Sequence, residues 1–452
     1  MGFNGAEFHE TPNLDRLAAA GMTFPNGYAG AGNCAPSRAC LLSGNYTPRH
    51  GVYAVGSTDR GPKKLQRLVR VPNKSGLAKE NVILAEALKS AGYTTGIFGK
   101  WHLDGKDGAE PAEQGFDIVF DLRAGNPNAR RDEPQDPKGV FSITRAACDF
   151  IEKTSATGKP FFAYVSHHAI HGALEARPES LAKFKEKAKS SKDGNPLYAA
   201  CTYDLDAGVG ELMEKIRALG IAEKTLVIFT SDNGGTQQSS QEPLRGSKGG
   251  YYEGGIREPF LAVWPGVIEP DLKSDAPVIN VDLYPTFLAL AGGKIAEGKQ
   301  LDGTDLTPLL TGTAVAPDRN AIFWHFPGYL DQPVIRGRKS DVALGFRSRP
   351  VSVIRKGNWK LHLFHEEWML EGGKDKLATN GAVELYDLST DPGERHDLAL
   401  KETARRDELL GDLLTWIAST KATIPAEKNP DYDTSAAARK LAKKTKTVPD
   451  PE

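Results

Sequence analysis

Apolar positions along this chain repeatedly form a helical stripe followed by a short unbroken run. Thr11, Pro12 and Asn13 open the first stripe, whose apolar face is Leu14, Leu17 and Ala18. Threonine suits a helix cap, proline suits the first helical position, and Gly21 ends the segment. A second stripe at 82–90 stops at Ala91-Gly92 and leads into a strand-like run at 93–98. The order then repeats: helix 142–153 before strand 160–166, and helix 206–219 before strand 225–230. The last two runs, FFAYVS and TLVIFTS, are almost wholly apolar, as strands buried on both faces require. Helices alternating with such strands predict an α/β fold, with a large, mostly parallel sheet sandwiched by helices.

After residue 345 the pattern changes. Segments 350–360, 361–364 and 383–387 read as short alternating strands joined by polar loops, and 409–418 reads as a closing amphipathic helix. The expected organisation is therefore a larger α/β domain at 1–345, a smaller antiparallel sheet with one helix at 346–421, and a solvated polar tail at 422–452. The tail is rich in Pro, Lys, Asp and Ala and offers no means of building a core. Internal repeats are absent from the sequence.

Composition narrows the class of partner. A chain of 452 residues can bury a sizeable core, and its 39% apolar and 25% charged content is that of an ordinary globular protein. A formal net charge of -1 creates no global field favouring nucleic acid or an anionic membrane surface. Any anion must be held by a local cluster. No apolar run reaches membrane-spanning length, and the opening residues carry neither the basic start nor the apolar stretch of a secretory signal. Four cysteines, Cys34, Cys40, Cys148 and Cys201, are too few for a disulfide framework and form no C-x-x-C pair.

Several segments carry candidate chemistry. Cys34-Ala35-Pro36-Ser37-Arg38 lies in a stretch following a loop rich in Gly and Ala; read blandly, Cys34 is a loop thiol. Gly99-Lys100-Trp101-His102 follows the strand at 93–98, where α/β sheets place their ligands. The segment 166–171, with His167, His168 and His171, also follows a buried strand; zinc is one reading of its histidines. Asp232 and Asn233 end the next strand and offer hard oxygen donors suited to calcium or magnesium, although Asp-Asn-Gly is also a good turn. The glycine-rich run at 244–259 carries Lys248, Glu253 and Arg257.

Together these blocks resemble the formylglycine-dependent (type I) sulfatases of the alkaline phosphatase superfamily. Cys34-Ala35-Pro36-Ser37-Arg38 followed by Gly44 is similar to that family's signature, with Ser43 where threonine is usual. The resemblance implies hydrolysis of a sulfate ester. Cys34 would be oxidised by a maturation enzyme to a formylglycine, whose hydrate offers one hydroxyl to attack sulfur and another to expel sulfate. It assigns catalytic roles to Cys34, Arg38, Lys100, His102, His171, Asp232 and Lys248, with Lys100, His171 and Lys248 on the sulfate. It implies calcium, or magnesium, held by the modified Cys34, Asp232 and Asn233. Asp232 would also deprotonate the attacking hydroxyl, His102 would assist release of sulfate, and His171 or Lys248 would protonate the leaving alcohol. Ile170 and Ala173 stand near positions where the family usually has proline, so the register between His168 and His171 is open.

The resemblance also implies a periplasmic or secreted protein. It further implies an initial buried strand ending in two metal-binding aspartates; the chain opens on Met1-Gly2-Phe3-Asn4-Gly5 without them. A weak metal site and an incomplete sheet are the expectation. Two alternatives follow: an inactive, sulfatase-like binding protein, and a phosphatase or phosphonate monoester hydrolase of the same superfamily. Aromatic and histidine residues at 324–329 and 362–368 suggest a face for a sugar ring, hence a sulfated carbohydrate.

Overall fold

The computed structural model describes residues 1–122, 134–190, 194–236, 238–331 and 337–444. The α/β expectation is met. Helices α1 (Pro12–Ala19), α2 (Cys34–Ser43), α3 (Leu84–Ser90), α4 (Val140–Ser155) and α5 (Pro196–Ala218) accompany the seven strands of the larger region's two main sheets. These are β1 (Met22–Thr23), β2 (Thr94–Gly99), β3 (Ile118–Phe120), β4 (Phe161–Ser166), β5 (Val227–Thr230), β6 (Phe260–Val263) and β7 (Leu272–Lys273). β3, β2 and β4 form a parallel sheet in that order, with Phe98 opposite both Phe120 and Val165. β5, β6, β1 and β7 form a second, mixed sheet. The apolar stripe of α4, Ile143, Ala147, Phe150 and Ile151, packs on Phe98 and on Phe161, Ala163 and Val165 of β4.

β4 and β5 are not buried on both faces, as their composition suggested. Each pairs on one side only, β4 with β2 and β5 with β6, and residues 161–165 and 227–230 are half-buried. Both strands line one cavity of about 2850 Å³. Apolar runs record what a strand can bury, and neighbouring elements decide what it does bury. α5 starts ten residues before the expected 206, because Asn195 Oδ1 accepts from the backbone N–H groups of Leu197 (3.0 Å) and Tyr198 (3.2 Å), with Pro196 in the first turn.

The smaller sheet is antiparallel. Its region contributes β8 (Ile322–Phe326), β9 (Leu330–Asp331), β10 (Phe346–Ser348), β11 (Val351–Lys356), β12 (Trp359–Phe364) and β13 (Val383–Asp387). The order is β8-β11-β12-β13, so the sheet reaches back before residue 345 for its first edge. Helix α6 (Thr403–Ser419) covers it with Leu409, Leu410, Leu413, Trp416 and Ile417. The tail is not wholly unpacked: α7 (Thr434–Lys444) buries Ala437 against Leu65, Tyr329, Leu344 and Phe346. Alanines give that helix a small apolar face that composition alone conceals. Trp324, His325, Phe326 and His362 are core residues, each 1% exposed or less, so they present no face to a sugar. Among the described residues, no helix is long and apolar enough to cross a membrane.

A buried ionic knot joins the two regions. Lys360 Nζ on β12 lies 2.8 Å from Glu253 and 3.0 Å from Glu394, and all three side chains are fully buried. Tyr28 donates to Glu253 at 2.7 Å, and His362 Nε2 meets Glu394 at 2.9 Å. Burial pushes Glu394 up; burial also opposes the Glu253 charge, but Lys360, Arg355 and Arg257 hold that carboxyl below its usual range. Lys360→Met would remove the cation within 3.0 Å of both buried carboxyls, leaving Glu253 and Glu394 to face each other without it. We expect a loss of about 3–5 kcal/mol, read as a lower denaturant midpoint at constant slope. An unchanged midpoint would show that the knot is dispensable.

Candidate active site

Cys34 begins a helix, where the sequence suggested a loop. Asn33 is extended (φ -134, ψ 158), Cys34 takes the first helical position, and Gly44 (φ 66) ends α2. All ten helix residues are buried, and Asn280 Nδ2 clamps the first turn by donating to Ser37 O (3.0 Å) and Ser37 Oγ (2.9 Å). Cys34 therefore sits at the positive end of a fixed helix, which favours negative charge beside it. Arg38 follows one turn later on the same face. Its Nη1 donates to Lys100 O at 2.6 Å and its Nε to Asp232 Oδ2 at 2.8 Å.

Lys100 owes its place to Gly99. That glycine has φ +104, and a Cβ on it would fall 2.2 Å from Ser166 O. Glycine thus lets the ends of β2 and β4 close together, where Lys100 N donates to Ser166 O (2.7 Å) and Ser166 Oγ donates to Lys100 O (2.8 Å). Lys248 is held by backbone ties to two other chemical segments. Its N–H donates to Gly235 O (2.8 Å), just past Asp232-Asn233, and Gly249 N donates to Gly32 O (2.7 Å), just before Cys34. Arg245 anchors the base of this loop on the smaller sheet, donating through Nη1 to Tyr386 OH (3.0 Å) and Glu394 O (2.8 Å). The outcome is one contact between distant segments: Lys248 Nζ donates to Cys34 Sγ at 3.1 Å.

Cys34, Arg38, Lys100, His171, Asp232, Asn233 and Lys248 all line the large cavity. His102 does not; it stands behind Lys100, half-buried and left-handed (φ 68), with a buried, unpartnered Nδ1. Burial first, then the Lys100 and Arg38 charges, pulls His102 down to about 3, so it is neutral at physiological pH. Burial likewise lowers Lys100. Asp232 is held below its usual range: burial opposes its charge, but Arg38, Lys100 and Lys248 outweigh it. Arg38 is raised, with Tyr164, Asp232 and Cys34 overcoming the cost of burial.

The histidine segment divides into separate tasks. His167 Nε2 meets Thr144 Oγ1 at 3.0 Å, and His168 Nε2 meets Asp121 Oδ1 at 3.1 Å. His171 is exposed on the cavity and donates from Nδ1 to Gly172 O at 2.9 Å. Its Nε2 is thereby left as the basic nitrogen of the neutral ring. Burial first lowers its pKa. A zinc cluster does not form here: among the described residues, no three His, Cys, Asp or Glu side chains converge as a metal site.

The cavity thus joins a cysteine at a helix start, three cations and an ionised aspartate, drawn from blocks far apart in sequence. Residues 1–293 match the Sulfatase family, and residues 247–341 match the family described as N-sulphoglucosamine sulphohydrolase, C-terminal. This chain belongs to the sulfatase family. As a sulfatase it is a hydrolase of sulfuric esters. It is 33% identical to arylsulfatase A of Homo sapiens over 88% of this chain and 80% of that protein. It is 30% identical to N-acetylgalactosamine-6-sulfatase of Mus musculus over 94% of this chain and 84% of that one. The crystal structure of Ps i-CgsB in complex with k-i-k-neocarrahexaose superposes with a TM-score of 0.71 at 25% identity, covering 99% of this chain and 96% of that chain.

The cation expected of a sulfatase does not fit the donors present. Asn233 Oδ1 is buried and unpartnered, as a ligand in waiting would be. Asp232, however, already spends Oδ2 on Arg38, and calcium takes about six to eight oxygens. The trio of Cys34, Asp232 and Asn233 is too small and too weakly charged to hold calcium or magnesium by itself. Two residues of this sulfatase cleft were not singled out as site residues from sequence. Glu258 lines the cavity with Oε1 unpartnered, and burial, reinforced by the Asp232 charge, pushes it well above the usual carboxyl range. Arg347 reaches the cleft from β10. Nothing in periodicity marks a single charged residue in a strand as pointing to a distant loop.

Proposed function

We propose that this sulfatase removes sulfate from a sulfated saccharide, using a formylglycine made from Cys34 by a maturation enzyme. The observation that carries this reading is the 3.1 Å contact of Lys248 Nζ with Cys34 Sγ, at a helix start backed by Arg38 and Lys100. Sγ marks the place of an oxygen of the modified side chain. A saccharide substrate is supported by the relative named N-acetylgalactosamine-6-sulfatase and by the neighbour bound to a neocarrahexaose.

When present, the modified side chain supplies a hydrate, one hydroxyl to attack sulfur and a second to expel sulfate. Lys248 and Lys100 hold the sulfate oxygens and offset the charge that develops there. Arg38 is fixed by Asp232 Oδ2 and the Lys100 carbonyl, so it presents one orientation to the reacting group. That pairing gives Asp232 the task of orienting Arg38; its low pKa makes it a weak base. His102, neutral and with a buried, unpartnered Nδ1, is the group assigned to the proton of the second hydroxyl.

His171 donates the proton to the leaving alcohol. His168 is committed to Asp121, whereas His171 Nε2 is free on the cavity. Because Nδ1 holds the proton of the neutral ring, His171 donates from Nε2 only as imidazolium. Its lowered pKa confines that form to acid. For a poor leaving group such as a sugar, kcat should therefore rise as pH falls from neutrality into acid. An activated aryl sulfate needs no such proton and should show a flatter profile. His171→Ala should slow the saccharide by about 10²-fold or more and the aryl ester far less. Equal losses on both substrates would reduce His171 to sulfate binding.

A further inference from the structure

Arg347 is a cation that the proposed chemistry leaves unused. It lies on β10 between Phe346 and Ser348, both buried, and its own side chain lines the cleft. Its stem runs along the Lys248 loop: a Cβ on Gly249 (φ +89) would meet Arg347 Cδ at 2.1 Å and Nη1 at 3.1 Å. Glycine at that point leaves room for a guanidinium one residue from the lysine that touches Cys34. The Arg347 Nε is buried without a hydrogen-bond partner, and among the described residues no carboxylate is paired with the group. Asp331, the acid that acts on it, is bridged to Arg60 at 3.2 Å. Burial first, and then the Arg60 charge, disfavours the Arg347 cation. A half-buried guanidinium whose Nε is sequestered and unpartnered gains from an anion of matching planar geometry.

Resting on the saccharide reading above, we propose that Arg347 is a specificity-determining residue that holds a second anionic group of the substrate. That group is a carboxylate or a further sulfate, carried by the sugar bearing the scissile ester or by its neighbour. Lys248 and Lys100 are engaged with the sulfate being removed, so a second anion on the same saccharide finds Arg347 across Gly249. A substrate with one sulfate and no other charge would leave the guanidinium as it is now.

Binding tests this independently of turnover. Titration calorimetry would use the full chain with glucosamine 2-N,6-O-disulfate, the monosulfated glucosamine, and a monosulfated disaccharide that carries a uronic carboxylate. The unmodified residue set should prefer at least one doubly anionic ligand over the monosulfate by about tenfold or more, the scale of a hydrogen-bonded charge. Which of the two is preferred tells sulfate from carboxylate. Arg347→Met keeps the stem against Gly249 and should erase the preference, and Arg347→Lys should restore part of it. The same preference in Arg347→Met, or none in the parent chain, would overturn the assignment. Turnover of the matured enzyme separates the two proposals. Loss of sulfate release from all three ligands in the parent chain would count against the saccharide reading, whereas the calorimetric preference speaks for Arg347 alone.

Discussion

Cys34→Ala is expected to lower sulfate-ester turnover by about 10⁴-fold or more, the scale on which enzymes lose activity with their nucleophile. The fold should survive, because alanine suits a buried first helical turn and the thiol makes one polar contact, with Lys248. Cys34→Ser is the sharper variant. Serine offers a single hydroxyl, so it can accept sulfate from the ester but cannot expel it. The expected result is no steady turnover and a serine sulfate ester, heavier by one SO3 group by intact mass, with the alcohol released once. A serine variant with the parent's steady rate would show that the second hydroxyl is not needed, and the formylglycine reading would fail with it.

Lys248→Ala should cost about 10²–10³-fold in kcat, the usual effect of removing one preorganised donor from developing charge. The lysine is placed by backbone ties to Gly235 and, through Gly249, to Gly32, so the alanine variant keeps the loop. Its loss should therefore fall on kcat, with a smaller change in KM, and melting should shift little. Lys248→Arg should recover only part of the rate, since a planar fork does not reproduce a compact ammonium 3.1 Å from residue 34. A change confined to KM would mean that Lys248 binds ground state and transition state equally.

Much of the site could be read from the chain because its chemistry is concentrated in short blocks at strand ends. Lys100 directly follows β2, and Asp232 stands two residues beyond Thr230, the end of β5, so the strand pattern alone locates both. The fold class followed from the same alternation. The misreadings have physical causes. The helical period of α2 is not legible in the sequence because every residue of the helix is buried, leaving no polar face to reveal it. The start of α5 depended on Asn195-Pro196, a cap preceding apolar residues that show little periodicity. Trp324, His325 and His362 looked like a sugar platform, since composition does not distinguish a buried aromatic from an exposed one. Arg347 and Glu258 gain their meaning from Gly249 and Asp232, partners that only the folded chain brings near.

The half-buried β4 and β5 teach a related lesson. FFAYVS and TLVIFTS have the composition of central strands, yet in the folded chain each is paired along one edge and lines the cavity along its length. Burial is a property of the assembly of elements, and sequence reports only the capacity for it.

The central claim is that oxidation of Cys34 turns this cleft into a sulfatase. The most direct measurement is steady release of inorganic sulfate from a sulfated saccharide by the chain produced with a formylglycine-generating enzyme, set beside the same chain produced without it and carrying a mass-verified thiol. The account predicts turnover that tracks the fraction of oxidised residue 34, with the thiol form lower by about 10³-fold or more. Equal turnover by the thiol form would contradict it.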